Sequence, residues 1–214
     1  MNSILILSGP THEYLDSVRY ITNGSSGILG KEIADEAILR DYNVDFITGP
    51  IQKINYPKSS KRLNIHKVTS ANDMYKLTKK LYIHADIIIF VAAVSDYTPS
   101  EKSRDKIKSS IDDLTIKFNS TIDIAKNIGK NKKDNQYTIG FSLQTTDDIN
   151  IAKVKLSEKN LDAIILNHPS NIGSDDGSFK FIFKKNIINE YNNISKKECA
   201  FLIINNLIKN IINK

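Results

Sequence analysis

Short apolar runs alternate along the chain with longer amphipathic stretches, and this alternation constrains the fold more than any other feature. Residues 3–7, 43–48, 63–68, 86–94, 114–118, 137–141 and 163–166 read as strands. The run at 86–94 is the most apolar, as expected of a strand covered on both faces. Residues 26–40 carry apolar side chains at 28, 29, 33, 34, 37 and 38, one stripe of a helix. Ser70 reads as the cap of a second helix reaching about residue 82. Residues 97–113 are polar and rich in Lys and Ser and read as a mobile loop. Further helices are expected at about 122–129 and 147–159, with a turn cluster at 171–177. Segments 179–183 and 187–191 can pair as a hairpin. Ser195 and Glu198 form a capping box that opens a last helix with apolar positions at 199–212. Strands alternating with helices give an α/β three-layer sandwich with a mainly parallel sheet and a C-terminal edge hairpin. No repeat or linker interrupts residues 1–214, which read as a single domain. Ligands should meet such a sheet at the carboxyl ends of its strands.

Composition narrows the function classes. The 214 residues carry a net charge of +6, built from 26 Lys and only 4 Arg, beside 35 Ile and 22 Asn. A nucleic-acid binder invests in Arg, whose planar fork matches phosphates and base edges. The charge therefore reads as compositional background with a bias toward anionic partners, and not as a nucleic-acid surface. The single cysteine, Cys199, excludes a disulfide framework and a cysteine-based zinc site. It falls on the apolar face of the last helix, as buried packing. The longest apolar run, 87–94, is far too short to span a membrane. With no signal peptide before the first strand, the expected location is the cytoplasm.

The chemistry concentrates after the first strand. Ser8-Gly9-Pro10-Thr11 closes it, and Asn23-Gly24-Ser25-Ser26-Gly27-Ile28-Leu29-Gly30 leads into the first helix. Free amides at a helix N-terminus, glycines and small hydroxyls suit a phosphate or carboxylate, although a tight turn before an ordinary helix would have the same composition. A dinucleotide fingerprint would follow the strand directly, whereas this turn comes some fifteen residues later. The pair Tyr75 and Lys79 has the spacing used by short-chain dehydrogenases but comes too early for one, and reads as two positions on a helix face.

The whole stretch SGPTHEYLDSVRYITNGSSGILGKEIA resembles the opening of the phosphopantothenate–cysteine ligases. The resemblance continues through AAVSDY (92–97), DKIKS (105–109), TIDIA (121–125), IGFSLQT (139–145) and KNLDAIILN (159–167), in order along nearly the whole chain. It implies a Rossmann-like fold and a ligase that activates the carboxylate of 4'-phosphopantothenate with a nucleoside triphosphate. CTP is the expected co-substrate, with ATP as the alternative, and Mg2+ accompanies it. L-cysteine then takes the acyl group. The resemblance also implies a homodimer, and the 179–191 hairpin is the expected contact region.

Residue by residue, the resemblance puts Asn23 beside the reaction intermediate, where its amide can donate to an acyl oxyanion. A turn residue tolerating left-handed geometry is the alternative reading, which the surrounding match disfavours. Lys106 matches a flap lysine whose ammonium can meet developing phosphate charge. Gly9, Ala92, Asp96, Thr121, Ile122, Asp123, Ile124 and Phe141 match nucleotide-site positions, with Asp96 as an acceptor for base or ribose donors. Lys155 and Lys159, one helical turn apart, match two lysines of the same site and could converge on one phosphate. Ser25, Ser26, Gly27 and Ala93 match the phosphopantothenate side. Core packing would explain Phe141 equally well by burial, and composition alone favours a solvated helix face for the two lysines.

Two positions depart from the family pattern. Ile122 stands where proline is common, so the helix start should survive but base recognition could differ. Gln144 stands where glutamate is common, which removes a charge near the triphosphate. Nothing resembles the flavin-dependent decarboxylase half of bifunctional relatives, and Met1 just before the first strand fits a stand-alone ligase or a piece of a fusion equally. An NAD(P)-dependent oxidoreductase is the alternative function on such a fold.

Overall fold

The computed structural model describes residues 2–108, 113–144, 148–171, 173–185 and 187–206. Positions 109–112, 145–147, 172 and 207–212, the last expected in the final helix from the sequence, lie outside them.

Eight strands form one sheet. In chain order the elements are β1 (Ser3–Ser8), β2 (Glu13–Tyr14), β3 (Tyr20–Ile21), α1 (Ile28–Leu39), β4 (Asn43–Thr48), β5 (Leu63–Lys67), α2 (Ala71–Leu81) and β6 (Ile87–Phe90). Next come β7 (Tyr97–Pro99), β8 (Phe118–Ser120), α3 (Ile124–Asn131), β9 (Tyr137–Leu143), α4 (Ile149–Glu158), β10 (Ala163–Asn167), β11 (Asp176–Phe183), β12 (Ile188–Ser195) and α5 (Lys196–Asn206). The sheet order is β12-β11-β10-β9-β6-β1-β4-β5. From β5 to β10 every neighbouring pair is parallel, and β11 and β12 add an antiparallel edge hairpin.

Alternate side chains of β1 sort to opposite faces. Ile4 and Ile6 pack with Ile33 and Ala37 of α1 and Ile203 of α5, while Leu5 and Leu7 pack with Met74 of α2, Ile128 of α3 and Ala152 of α4. All four strand residues are at most 1% exposed. Each contributes about 1.5–3 kcal/mol by leaving water. Cys199 is wholly buried in the α1/α5 face, and burial pushes its thiol well above the usual range.

The expected elements are present, with several boundaries moved. The strand expected at 86–94 ends at Phe90, which pairs with Leu7 near the end of β1. Beyond it only an isolated Pro10–Ala93 bridge continues. The strand expected over 114–118 pairs only from Phe118, because its partner is the three-residue β7 inside the segment read as loop. The pairs β2–β3 and β7–β8 were not expected. The Ser70 cap is present, with Asp73 completing the capping box. At α5, the Ser195 hydroxyl accepts from the Glu198 amide at 3.1 Å.

One buried carboxylate ties the β2–β3 excursion to the polar loop. Asp16 Oδ1 accepts from the amides of Val18 (2.7 Å) and Arg19 (2.6 Å). Its Oδ2 accepts from Arg19 Nη1 (2.8 Å) and the Ile107 amide (3.1 Å). The Arg19 amide is the largest cause holding the Asp16 carboxyl far below the usual carboxylate range; burial opposes it, and the Val18 and Ile107 amides and the Arg19 guanidinium add to it.

Two measurements check this picture. Cys199 should resist a thiol reagent in the folded protein and react fully in denaturant, whereas equal rates in both would place it outside the core. The depressed Asp16 carboxyl should stabilise the fold fully above the ordinary value of 3.8 and lose that contribution as pH falls further. The denaturation gap between wild type and Asp16→Asn should then be equal at pH ~7 and ~5 and smaller at pH ~3. A gap that shrinks already at pH ~5 would contradict it.

Candidate active site

The sheet order reverses beside β1. The chain runs from β1 outward through β4 to β5, then returns to place β6 on the other side of β1. Loops leaving β1 and β6 therefore part company, and a crevice opens between them. A cavity of about 780 Å³ occupies it. Its wall includes Asn23 and 24–30 from the start of α1, 90–94 and Asp96 after β6, 120–125 at the start of α3, the end of β9, and Lys155 and Lys159.

Backbone geometry shapes the α1 side. Gly27 caps α1 at φ 77° with no side-chain cap bond, and the first turn of the helix lines the cavity. The Ile28 amide reaches Ser26 Oγ at 3.5 Å, a long contact that an anion could replace, and the helix dipole favours one there. Gly9 sits behind it at φ 71°, and its carbonyl accepts from the Ala93 amide at 3.0 Å. A Cβ on Gly9 or Gly27 would stand 2.8 or 2.9 Å from Ile51 Cγ2. Both glycines are thus required by conformation and by space.

Hydroxyls connect the loops. Thr22 Oγ1 donates to the Thr11 carbonyl (2.9 Å), and Thr11 Oγ1 accepts from the Ser95 amide (3.0 Å). Thr121 Oγ1 donates to the Ser95 carbonyl (2.6 Å), and the Thr121 amide donates to the Asp96 carbonyl (2.9 Å). The turn before Asn23, the segment after β6 and the entry to α3 are joined in one series. Asn23 Nδ2 donates to the carbonyls of Ala93 (3.3 Å) and Val94 (3.1 Å). Both amide hydrogens are engaged, so its Oδ1 is the free end, and donation to an oxyanion requires one of these bonds to exchange.

Asp123 has two tasks. Its Oδ1 accepts from the Lys126 amide at 2.9 Å and caps α3, so the helix starts without the proline absent at Ile122. Its Oδ2 pairs with Lys159 Nζ at 3.0 Å. Lys155 Nζ instead donates to Ser142 Oγ at 3.1 Å, which also accepts from Gln144 Nε2 at 2.7 Å. The two lysines line one cavity but hold different partners. Gln144 Oε1 is buried without a hydrogen-bond partner among the described residues.

Every residue matched to the family's site lines the cavity except Gly9, which supports it from behind, and Lys106, which is exposed on the polar loop; Gln144 does not line it either. Sequence reading missed Ser142, Asn167, Asn171 and Lys196, which also line it. Asn167 ends a buried strand, a position that could have marked it. Lys196 is brought in by the edge hairpin, and no local pattern marks it. Tyr75 and Lys79 do not line the cavity; Tyr75 packs against the core with its hydroxyl on Asn127 Oδ1 at 3.2 Å. Among the described residues no three His, Cys, Asp or Glu side chains gather as a metal site. No helix among them is long and apolar enough to cross a membrane.

Comparison with known proteins fits this architecture. Residues 1–211 match the family described as the DNA/pantothenate metabolism flavoprotein C-terminal domain. The chain is 36% identical over 210 residues to the coenzyme A biosynthesis bifunctional protein CoaBC of Haemophilus influenzae, covering 97% of this chain and 51% of that protein. It is 37% identical over 209 residues to a cysteine/cysteine sulfinic acid decarboxylase from an unknown prokaryotic organism, covering 96% and 57%. The chain thus spans about half the length of the curated relatives it matches. The crystal structure of the C-terminal domain of a CoaBC protein superposes with a TM-score of 0.83 at 32% identity, covering 100% of this chain and 97% of that one. The chain belongs to the DNA/pantothenate metabolism flavoprotein C-terminal domain family.

Proposed function

We propose that this domain is a phosphopantothenate–cysteine ligase of coenzyme A biosynthesis, using CTP in preference to ATP. The observation that carries the reading is the switch-point cavity itself. Its wall combines a helix N-terminus capped by a glycine, Asn23 and two lysines, in a chain that matches about half of the bifunctional CoaBC protein over 97% of its own length. Such a wall offers amide donors and positive potential without a strong nucleophile, which suits bringing two anions together.

A carboxylate oxygen of 4'-phosphopantothenate attacks the α-phosphorus of the nucleotide, and pyrophosphate leaves. The cysteine amine then attacks the acyl carbon of the acyl-nucleotidylate, expels the nucleoside monophosphate and loses a proton. In this reading Lys155 and Lys159 meet triphosphate oxygens, and Asp96 accepts from base or ribose. Ser25, Ser26 and Gly27 hold the phosphopantothenate side, while Asn23 orients the acyl group. Lys106 brings an ammonium to the developing phosphate charge.

Magnesium would lower the charge of the triphosphate. The cavity wall supplies the carboxylates of Asp96 and Asp123, a donor set that fits an ion held mainly by phosphate oxygens and water. The protein works as a homodimer in the cytoplasm in this reading, and the outer strand β12 at the sheet edge is a suitable contact.

The test is pyrophosphate release from CTP or ATP with 4'-phosphopantothenate, with and without cysteine. Release faster with CTP is expected, and no release with either nucleotide refutes the ligase. Asn23→Ala and Lys106→Ala should each lower turnover at least ~100-fold, the scale of losing one transition-state donor. Near-normal rates in both variants would remove these residues from the chemistry.

A further inference from the structure

Two excursions leave the sheet near the cavity. One is the β2–β3 pair, which leads to Asn23. The other is the polar loop that bears Lys106. Within the loop, residues 101, 102, 104–106 and 108 are exposed, so apolar packing does little to hold it. At its start the Ser100 amide and hydroxyl both donate to the Lys117 carbonyl, at 2.9 and 3.1 Å. Its further described anchors lie on the first excursion. The Ser103 amide donates to the Leu15 carbonyl at 2.9 Å. Ile107, next to Lys106, is held at both backbone groups: its amide donates to Asp16 Oδ2 at 3.1 Å, and its carbonyl accepts from Arg19 Nη1 at 3.1 Å.

The Asp16 side chain is 0% exposed. A carboxylate is costly to bury, and a turn does not need one. An asparagine or serine closes such a turn with a single acceptor, as Oδ1 does here with Val18 and Arg19. The second oxygen serves Arg19 Nη1 and the loop. Its presence is explained by what it holds across the two excursions.

We propose that Asp16 is a positioning residue for the reaction, fixing the backbone beside Lys106 to the turn that leads to Asn23. The proposal rests on the ligase reading. Arg19, Val18 and Ile107 are the groups through which it acts.

The discriminating variant is Asp16→Asn. Its amide oxygen can take the place of Oδ1 and keep the turn, while its NH2 would face two donors in place of Oδ2. Hydrogen exchange should leave the Val18 and Arg19 amides protected and make the Ile107 amide exchange at least ~10-fold faster, the effect of losing one charge-assisted hydrogen bond. Turnover should fall at least ~10-fold with KM for both substrates within about 3-fold, as for a contact that matters in the transition state. In a Lys106→Ala background the same substitution should cost less than about 2-fold, since both changes remove one function. Single-turnover pyrophosphate release with enzyme in excess keeps the slow double variant measurable.

An equal cost of Asp16→Asn with and without Lys106 would overturn the proposal, because the residue would then act as general support. Unchanged exchange at Ile107 would overturn it at its origin. Absence of pyrophosphate release by the wild type would refute the ligase reading instead, and Ile107 exchange alone would then sustain or overturn the anchor.

Discussion

A sheet covered on both faces leaves only its strand ends free to meet a ligand, and here that constraint falls hardest on β1. It lies between β4 and β6, with α1 and α5 on one face and α2, α3 and α4 on the other. Its side chains are committed to packing, so the chemistry must come from the loops and helix starts beyond the strand ends. The order reversal beside β1 holds those segments apart. The cavity is thus a product of topology before any side chain lines it.

The lining obeys a second economy. Hydroxyls and backbone groups position the loops, through the series from Thr22 to Thr11, Ser95 and Thr121. Charged groups are few, and most are tethered: Asp123 to a helix end and Lys159, Lys155 to Ser142, Lys196 to the Ser174 carbonyl. Glycine serves where even a methyl group would not fit, at Gly9 and Gly27 against Ile51. Rigid, mostly neutral walls can hold an anionic ligand in one pose without reorganising around it.

Most of the sheet was legible because β1, β6 and β10 are apolar nearly throughout and α1 carries a stripe. The hairpin was legible too, and its strands prove longer than expected, Asp176–Phe183 and Ile188–Ser195. The features that escaped were set by distant partners. A two-residue strand such as Glu13–Tyr14 has no period to read. The pairing of Tyr97–Pro99 with Phe118–Ser120 joins segments some twenty residues apart. The apolar run to Val94 looked like strand throughout, yet the ladder with β1 stops at Phe90, because local hydrophobicity does not record where a partner ends. At the site, motif register found the residues on strand ends and helix starts. It could not show that Lys106 stands outside the cavity or that Lys196 reaches it from the start of α5. Nor did it show that the hydrogens of the Asn23 amide are already in use.

The pair between Asp123 and Lys159 has a consequence for selectivity. Its side chains are 42% and 27% exposed, so the contact is worth at most about 1 kcal/mol. Asp123 nevertheless acts as a resident competitor for the lysine. A singly charged anion entering the cavity gains little, because it only exchanges with an equivalent carboxylate. A ligand with several negative charges gains from Lys159, Lys155 and the helix terminus together, and easily outweighs the contact it displaces. At Lys159 an incoming anion must therefore displace a resident carboxylate, a cost that weighs more on one negative charge than on several.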